Sequence, residues 1–133
     1  MKDEPRANLL IVDDNRGHRQ ALAKLFSKEG YKVALATNGE EALEILSKDS
    51  FELIITDLRM PRKGGLQLLK EIKALNPQTM VIIVTAYGDY ISYHEAMRGG
   101  VFEYLNKPIK RNEILAVAEK ALIWRKAIGN NLD

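Results

Sequence analysis

The sequence has no cysteine, and this absence excludes several kinds of site at once. A chain without thiols cannot form a disulfide, bind zinc through thiolates or use a thiol nucleophile. Positive charge is not in large excess either, because 20 Lys and Arg stand against 18 Asp and Glu, for a formal net charge of +2. The basic residues form no block or stripe, so we expect no direct nucleic-acid binding by this segment.

Long apolar runs are also absent. The purest ones, such as Met80–Val84, are much shorter than the roughly 20 residues that a membrane helix needs. The first eight residues are polar and of mixed charge, unlike a signal peptide. We therefore expect a cytoplasmic protein that does not contact a membrane, and 133 residues suit a single domain.

Five short apolar runs alternate with stretches of helical periodicity. The runs predict strands at Asn8–Val12, Tyr31–Ala36, Phe51–Thr56, Met80–Val84 and Val101–Leu105. The first, third and fourth runs are almost continuously aliphatic, which indicates strands covered on both faces. The second and fifth runs alternate more, as edge strands with one wetter side do.

The stretches that follow these runs predict five helices. Asn38 and Glu41 predict a capping box at the start of the second helix. The last helix is expected over about Arg111 to Ala127, with Gly129 after its end. Five βα units in regular alternation predict a doubly wound α/β fold with helices on both faces of a parallel sheet. The expected domain and its two polar tails are 8–127, 1–7 and 128–133.

Polar side chains follow the strands at their carboxyl ends, where open parallel sheets bind ligands. The residues are Asp13 and Asp14 after the first strand, Asp57 after the third, Thr85 after the fourth, and Lys107-Pro108 after the fifth. Carboxylates ~4–5 Å apart repel by roughly 3–4 kcal/mol per pair at an effective dielectric near 20. An ammonium and a divalent cation would offset this repulsion, and oxygen ligands favour a hard ion such as Mg²⁺. Such a site is suited to phosphoryl groups, with Asp57 as the nucleophile.

Together these motifs resemble the receiver domain of bacterial response regulators. The motifs are Asp13-Asp14, Asp57 in Ile-Thr-Asp-Leu-Arg-Met-Pro61, Thr85-Ala86 and Asn106-Lys107-Pro108, in a match from about Asn8 to Trp124. The stretches Leu58-Arg-Met-Pro61 and Thr85-Ala-Tyr-Gly-Asp89 most resemble receivers of NtrC-type transcription activators. The resemblance implies a flavodoxin-like sheet with the strand order 2-1-3-4-5.

The resemblance also implies a role for each matching residue. Asp57 would accept a phosphoryl group from a sensor histidine kinase or a phosphotransfer protein. The ligands of Mg²⁺ would be Asp13, Asp14, Asp57 and the backbone carbonyl of Arg59. The phosphoryl oxygens would be stabilised by Lys107, Thr85 and Ala86.

Further implied roles concern the state of the signal. Thr85 and Tyr104 would act as a switch that alters the surface of the fourth helix, fifth strand and fifth helix. That surface would act on a downstream effector, with transcription as the expected output, and by family analogy it would also be the surface of a homodimer. Arg59 and Tyr87 would modulate dephosphorylation, since they stand two residues after the phosphorylated Asp and the Thr. The bond before Pro108 would be cis.

Other classes of protein fit the residues less well. A flavodoxin-type FMN protein shares the sheet order, but Asp13-Asp14-Asn15 would repel a phosphate that lacks a metal. A haloacid-dehalogenase phosphatase needs a second acid where this chain has Arg59. The Gly-x-x-x-x-Gly-Lys motif of P-loop ATPases is absent. One alternative stays open, namely a receiver-like interaction module that is not regulated by phosphorylation.

Simpler interpretations apply to some of these residues. Asp13 and Asp14 are also suited to capping the first helix. We interpret His18 and His94 as surface residues, because neither has a histidine or acid at metal-binding spacing.

Overall fold

The computed structural model describes residues 4–131 and contains a five-stranded parallel sheet. The strands are β1 (Asn8–Val12), β2 (Lys32–Ala36), β3 (Leu53–Thr56), β4 (Met80–Thr85) and β5 (Glu103–Asn106). The helices are α1 (Arg16–Lys28), α2 (Gly39–Leu46), α3 (Gly65–Leu75), α4 (Tyr90–Arg98) and α5 (Arg111–Asn131). The strand order is β2-β1-β3-β4-β5 with parallel pairing throughout, which confirms the predicted doubly wound topology.

Each strand has the hydrophobicity that its position in the sheet requires. All residues of β3 and β4 are buried, whereas β2 and β5 lie at the edges and are partly exposed. Successive residues of a strand point to opposite faces, so each strand contributes to two cores. Leu10 and Ile54 pack with α2, α3 and α4 on one face. Leu9 and Ile55 pack with α1 and α5 on the other.

The helix starts show which polar residues act as caps. Asn15 caps α1, because its side chain accepts a hydrogen bond of 2.9 Å from the His18 amide. Asp13 and Asp14 are therefore not the cap and remain available for the site. In α2 the Asn38 side chain accepts from the Glu41 amide, as predicted, at 2.9 Å. The Glu41 carboxylate accepts from the amide of residue 37 instead of the Asn38 amide, so the expected capping box is only half formed.

The two ends of the domain differ from the sequence-based expectation. Helix α5 continues to Asn131, so the boundary expected after Ala127 lies inside it. A glycine ends a helix when its backbone is left-handed, as at Gly30 (φ 91°), and Gly129 is not in that conformation. At the other end, Ala7 is buried and its carbonyl accepts a hydrogen bond of 3.0 Å from Lys32. The expected tails 1–7 and 128–133 are thus partly integrated into the fold, and residues 1–3 and 132–133 lie outside the described part.

Within residues 4–131 no helix is both long enough and apolar enough to cross a lipid bilayer.

Candidate functional site

Three carboxylates converge at the carboxyl ends of β1 and β3. Asp13, Asp14 and Asp57 each offer an oxygen, and these oxygens lie within 4.8 Å of one another. Asp13 is buried, Asp14 is exposed and Asp57 is intermediate. The sheet ladder positions two of them, because the Asp13 amide donates to Ala36 and the Asp57 amide donates to Val12 at 3.1 and 2.9 Å. The predicted convergence is therefore present, and it follows from parallel strands that end at one edge.

Lys107 bridges two of the three carboxylates. Its Nζ lies 3.1 Å from Asp57 Oδ2 and 3.3 Å from Asp13 Oδ2. The backbone holds it there, since the Lys107 amide donates to the Thr85 carbonyl at 2.8 Å. The bond to Pro108 is cis, as the resemblance implies. Three carboxylates and one ammonium leave a net charge of −2, and an all-oxygen donor set of this charge fits a hard divalent cation.

The loop after β3 packs closely against Asp57. One carboxylate oxygen, Asp57 Oδ1, accepts a hydrogen bond of 2.7 Å from the Leu58 amide, which leaves Oδ2 facing Lys107. Gly65 begins α3 beneath the loop and donates to the Leu58 carbonyl at 2.9 Å. A β-carbon at Gly65 would overlap the Asp57 carbonyl oxygen, so a glycine allows α3 to approach this closely.

Thr85 ends β4 beside the acids, and Ala86 follows it at the surface. The Thr85 side chain is fully buried, and its hydroxyl oxygen accepts a hydrogen bond of 3.0 Å from the Tyr87 amide. A hydroxyl that accepts in this way keeps its own hydrogen for donation. Thr85 is therefore able to donate to a further acceptor placed at the site.

Tyr104 is held in a buried position beneath the start of α4. Its hydroxyl lies 2.7 Å from the hydroxyl of Ser92, and both side chains are buried. Ser92 also forms a capping box with Asp89, whose carboxylate accepts from the Ser92 amide at 2.8 Å. This bond is the largest cause of the lowered pKa of Asp89, and the positive charge of Arg59 also lowers it. The sequence interpretation missed Ser92, although the spacing Asp89-x-x-Ser92 is a capping pattern.

The two residues expected to modulate dephosphorylation contact each other. The Arg59 guanidinium lies over the Tyr87 ring, 5.8 Å from its centroid. The same guanidinium is 3.3 Å from the Asp89 carboxylate. Arg59 therefore connects the loop after β3 to the start of α4. Tyr87, which the Arg59 guanidinium covers, is 65% exposed.

His18 is a surface residue, as the sequence predicts, but it also lies beside the site. Its side chain is 53% exposed, but Nδ1 lies 3.0 Å from Lys107 Nζ and 3.9 Å from Asp13 Oδ2. The available signal was its position on the first turn of the helix that follows the acids. His94, by contrast, lies on the exposed side of α4, with its ring 4.3 Å from that of Tyr90.

A groove between α1 and the start of α5 opens next to the acids. It has a volume of about 780 Å³, and Lys107 and His18 form the end nearest the site. Its apolar lining includes Leu22, Leu25 and Ile109. The site is therefore continuous with a surface that could receive another macromolecule.

Comparison with known proteins places these features in a family. A family model described as the response regulator receiver domain matches residues 9–119. The transcriptional regulatory protein ZraR of Escherichia coli K12 is 43% identical over 121 residues, which cover 91% of this chain and 27% of that protein. The sporulation initiation phosphotransferase F of Bacillus subtilis is 37% identical over 114 residues, which cover 86% of this chain and 92% of that protein.

A solved structure agrees with these sequence relatives. The beryllofluoride-activated NtrC4 receiver domain dimer superposes with a TM-score of 0.84 at 27% identity, covering 89% of this chain and 98% of that one. The chain spans only about a quarter of the length of ZraR. The sporulation phosphotransferase, in contrast, is matched over nearly its whole length.

Proposed function

Because the chain belongs to the response regulator receiver family, whose members are signalling phosphoacceptors, we propose that Asp57 is the phosphoacceptor of this protein. The observation that carries the proposal is the cluster of Asp13, Asp14 and Asp57 within 4.8 Å, with Lys107 3.1 Å from Asp57. The donor is a phosphohistidine of a sensor histidine kinase or a phosphotransfer protein. An Asp57 oxygen attacks the phosphorus, the bond from phosphorus to the imidazole nitrogen breaks, and an acyl phosphate forms.

The acids and the lysine have different electrostatic roles at the site. Asp13, Asp14, Asp57 and the backbone carbonyl of Arg59 would hold Mg²⁺, which when bound supplies positive charge next to the phosphoryl oxygens. Lys107 donates to a phosphoryl oxygen from the position it already holds beside Asp57. The exclusively oxygen donors and the net charge of −2 support this assignment.

The kinase or phosphotransfer protein approaches through the groove between α1 and α5. A phosphohistidine must reach Asp57 from solvent. The groove ends at Lys107, whose Nζ lies 3.1 Å from Asp57 Oδ2. Its apolar lining, which includes Leu22 and Ile109, provides the buried contact that an interface of useful affinity needs.

Phosphorylation acts on a second surface through Thr85 and Tyr104. The Thr85 hydroxyl donates to a phosphoryl oxygen, with Ala86 beside it, and the β4–α4 loop moves toward the site. Tyr104, whose hydroxyl lies 2.7 Å from that of Ser92, then changes its contacts with the start of α4, which alters the surface of α4, β5 and α5. Arg59 and Tyr87 cover the phosphorus and slow hydrolysis, which is supported by their mutual contact.

The altered surface controls a downstream effector. The relatives include NtrC-type transcription activators, and the chain matches about a quarter of ZraR, so we propose transcription control as the output of the whole protein. We also propose a homodimer through α4, β5 and α5, since the beryllofluoride-activated NtrC4 receiver domain is a dimer. Exposed apolar residues of this surface that suit such contacts are Tyr93, Met97 and Ile123.

One experiment separates this function from an interaction module that is not regulated by phosphorylation. The chain is incubated with Mg²⁺ and labelled acetyl phosphate, and stable label is measured for the wild type, for Asp57→Asn and for Asp49→Asn as a control at an exposed acid. We expect label in the wild type and in Asp49→Asn, and none in Asp57→Asn. Equal labelling of Asp57→Asn would contradict the assignment, and an unlabelled wild type that also fails to bind beryllofluoride would favour the alternative.

A further inference from the structure

Lys107 has three hydrogen-bond acceptors, and one of them comes from outside the carboxylate cluster. The Nζ atom is 3.1 Å from Asp57 Oδ2, 3.3 Å from Asp13 Oδ2 and 3.0 Å from His18 Nδ1. A lysine ammonium carries three hydrogens and no acceptor. With its ring hydrogen on Nε2, the imidazole presents Nδ1 as the acceptor in this contact.

The proposed chemistry changes two of these three acceptors. Asp57 becomes an acyl phosphate, and Asp13 would be a ligand of the divalent cation. Only the bond to His18 has the same partner before and after transfer. From this difference we propose that His18 is a positioning residue, which keeps the Lys107 ammonium directed at the Asp57 oxygen while the acids exchange partners. This inference rests on the function proposed above.

The start of α1 fixes the backbone that carries the imidazole beside Lys107. The His18 amide is fixed by the Asn15 cap at 2.9 Å, which sets the first turn of the helix. Arg19 donates to the Asp13 carbonyl at 2.8 Å and so ties the same turn to the end of β1. The Lys107 side chain is only 16% exposed, so water has limited access to replace a missing acceptor.

The test compares variants at His18 that keep or remove an acceptor at the Nδ1 position. His18→Asn places an amide oxygen near that position, His18→Gln places its amide group nearer Nε2, and His18→Leu keeps bulk without an acceptor. The measurement is the initial rate of labelling by acetyl phosphate with saturating Mg²⁺. His94→Leu, at the other histidine, is the control. Affinity for Mg²⁺ alone is measured by calorimetry in parallel.

We expect His18→Leu and His18→Gln to label about fivefold more slowly, the effect of losing one partly exposed charged hydrogen bond. His18→Asn should stay within about twofold of the wild type, as should His94→Leu and all Mg²⁺ affinities. Wild-type rates in both His18→Leu and His18→Gln would overturn the inference. If His18→Leu fails to fold, as judged by circular dichroism, the comparison of Asn with Gln decides alone.

A double-mutant cycle tests whether His18 affects the labelling rate through Lys107. In a Lys107→Met background, His18→Leu should no longer change the labelling rate, because the group it positions is absent. An equal slowing in that background would overturn the inference, since His18 would then act independently of Lys107. Failure of the proposed function is distinguishable, because the wild type itself would then take up no label at Asp57.

Discussion

Replacing Ser92 by alanine tests the proposed switch at the buried hydrogen bond between Ser92 and Tyr104. The Ser92 hydroxyl contacts the Tyr104 hydroxyl at 2.7 Å and both backbone groups of Asp89, the amide at 3.3 Å and the carbonyl at 3.1 Å. The main cap of α4 is retained in Ser92→Ala, because Asp89 accepts from the backbone amide of residue 92. The main loss is the partner of a buried tyrosine hydroxyl, and the longer contacts of the Ser92 hydroxyl with the Asp89 backbone are lost as well.

The magnitude follows from that loss. A buried hydroxyl left without a partner costs about 1–3 kcal/mol, so we expect Ser92→Ala to lower the free energy of unfolding by about 1–2 kcal/mol. The cost falls on the conformation in which Tyr104 is buried. If the two states of the switch differ in this hydrogen bond, a change of about 1 kcal/mol shifts the ratio of their populations about fivefold before any phosphoryl group is present.

Two assays measure these effects. Urea unfolding is compared for Ser92→Ala, Tyr104→Phe and the double variant, with Ser47→Ala as a control at an exposed serine. Because the double variant leaves no unpaired hydroxyl, it should cost less than the sum of the single changes. The amide shifts of α4 and β5 in Ser92→Ala should be displaced from those of the wild type along the line that joins the free and beryllofluoride-bound positions. Additive unfolding energies, together with unmoved amide shifts, would refute the reasoning.

Three further predictions address the loops around the site. Arg59→Ala and Tyr87→Ala should each shorten the acyl-phosphate half-life several-fold, measured by loss of label, and unchanged half-lives would contradict shielding. Gly65→Ala should lower the free energy of unfolding by about 1–3 kcal/mol, since its β-carbon would overlap a backbone oxygen. Gly17→Ala should not lower it, because the atom nearest to the added β-carbon is 3.4 Å away. Equal free energies of unfolding for the two variants would contradict the steric explanation. The pKa of Asp89 is lowered in the fold, so its cap stabilises α4 above about pH 4 and is lost as the pH falls through the folded pKa. Asp89→Asn should therefore abolish this acid-dependent loss of amide protection in α4, and a loss that persists would point to another group.

Much of the fold was predictable because it depends on local pattern. Continuous aliphatic runs identified β1, β3 and β4 as covered strands, and the alternating runs identified β2 and β5 as edges. Parallel strands bring their carboxyl ends to one edge, so the convergence of Asp13, Asp57 and Lys107 followed from chain order alone. The predicted end of α5 was wrong. Glycine commonly ends a helix, but Gly129 lacks the left-handed backbone that does so.

The sequence by itself determined the sheet, its two covered faces and the set of acids at its rim, because strand periodicity and parallel connectivity are properties of the chain order. Only the tertiary structure decided which side chains of the helices meet residues of the strands and of the loops that follow them. His18 and Lys107 are 89 residues apart, and their contact depends on how α1 is rotated over the sheet. The hydrogen bond from Ser92 to Tyr104 depends in the same way on how α4 packs against β5. Helix rotation and packing are set by the whole core, which no local pattern encodes.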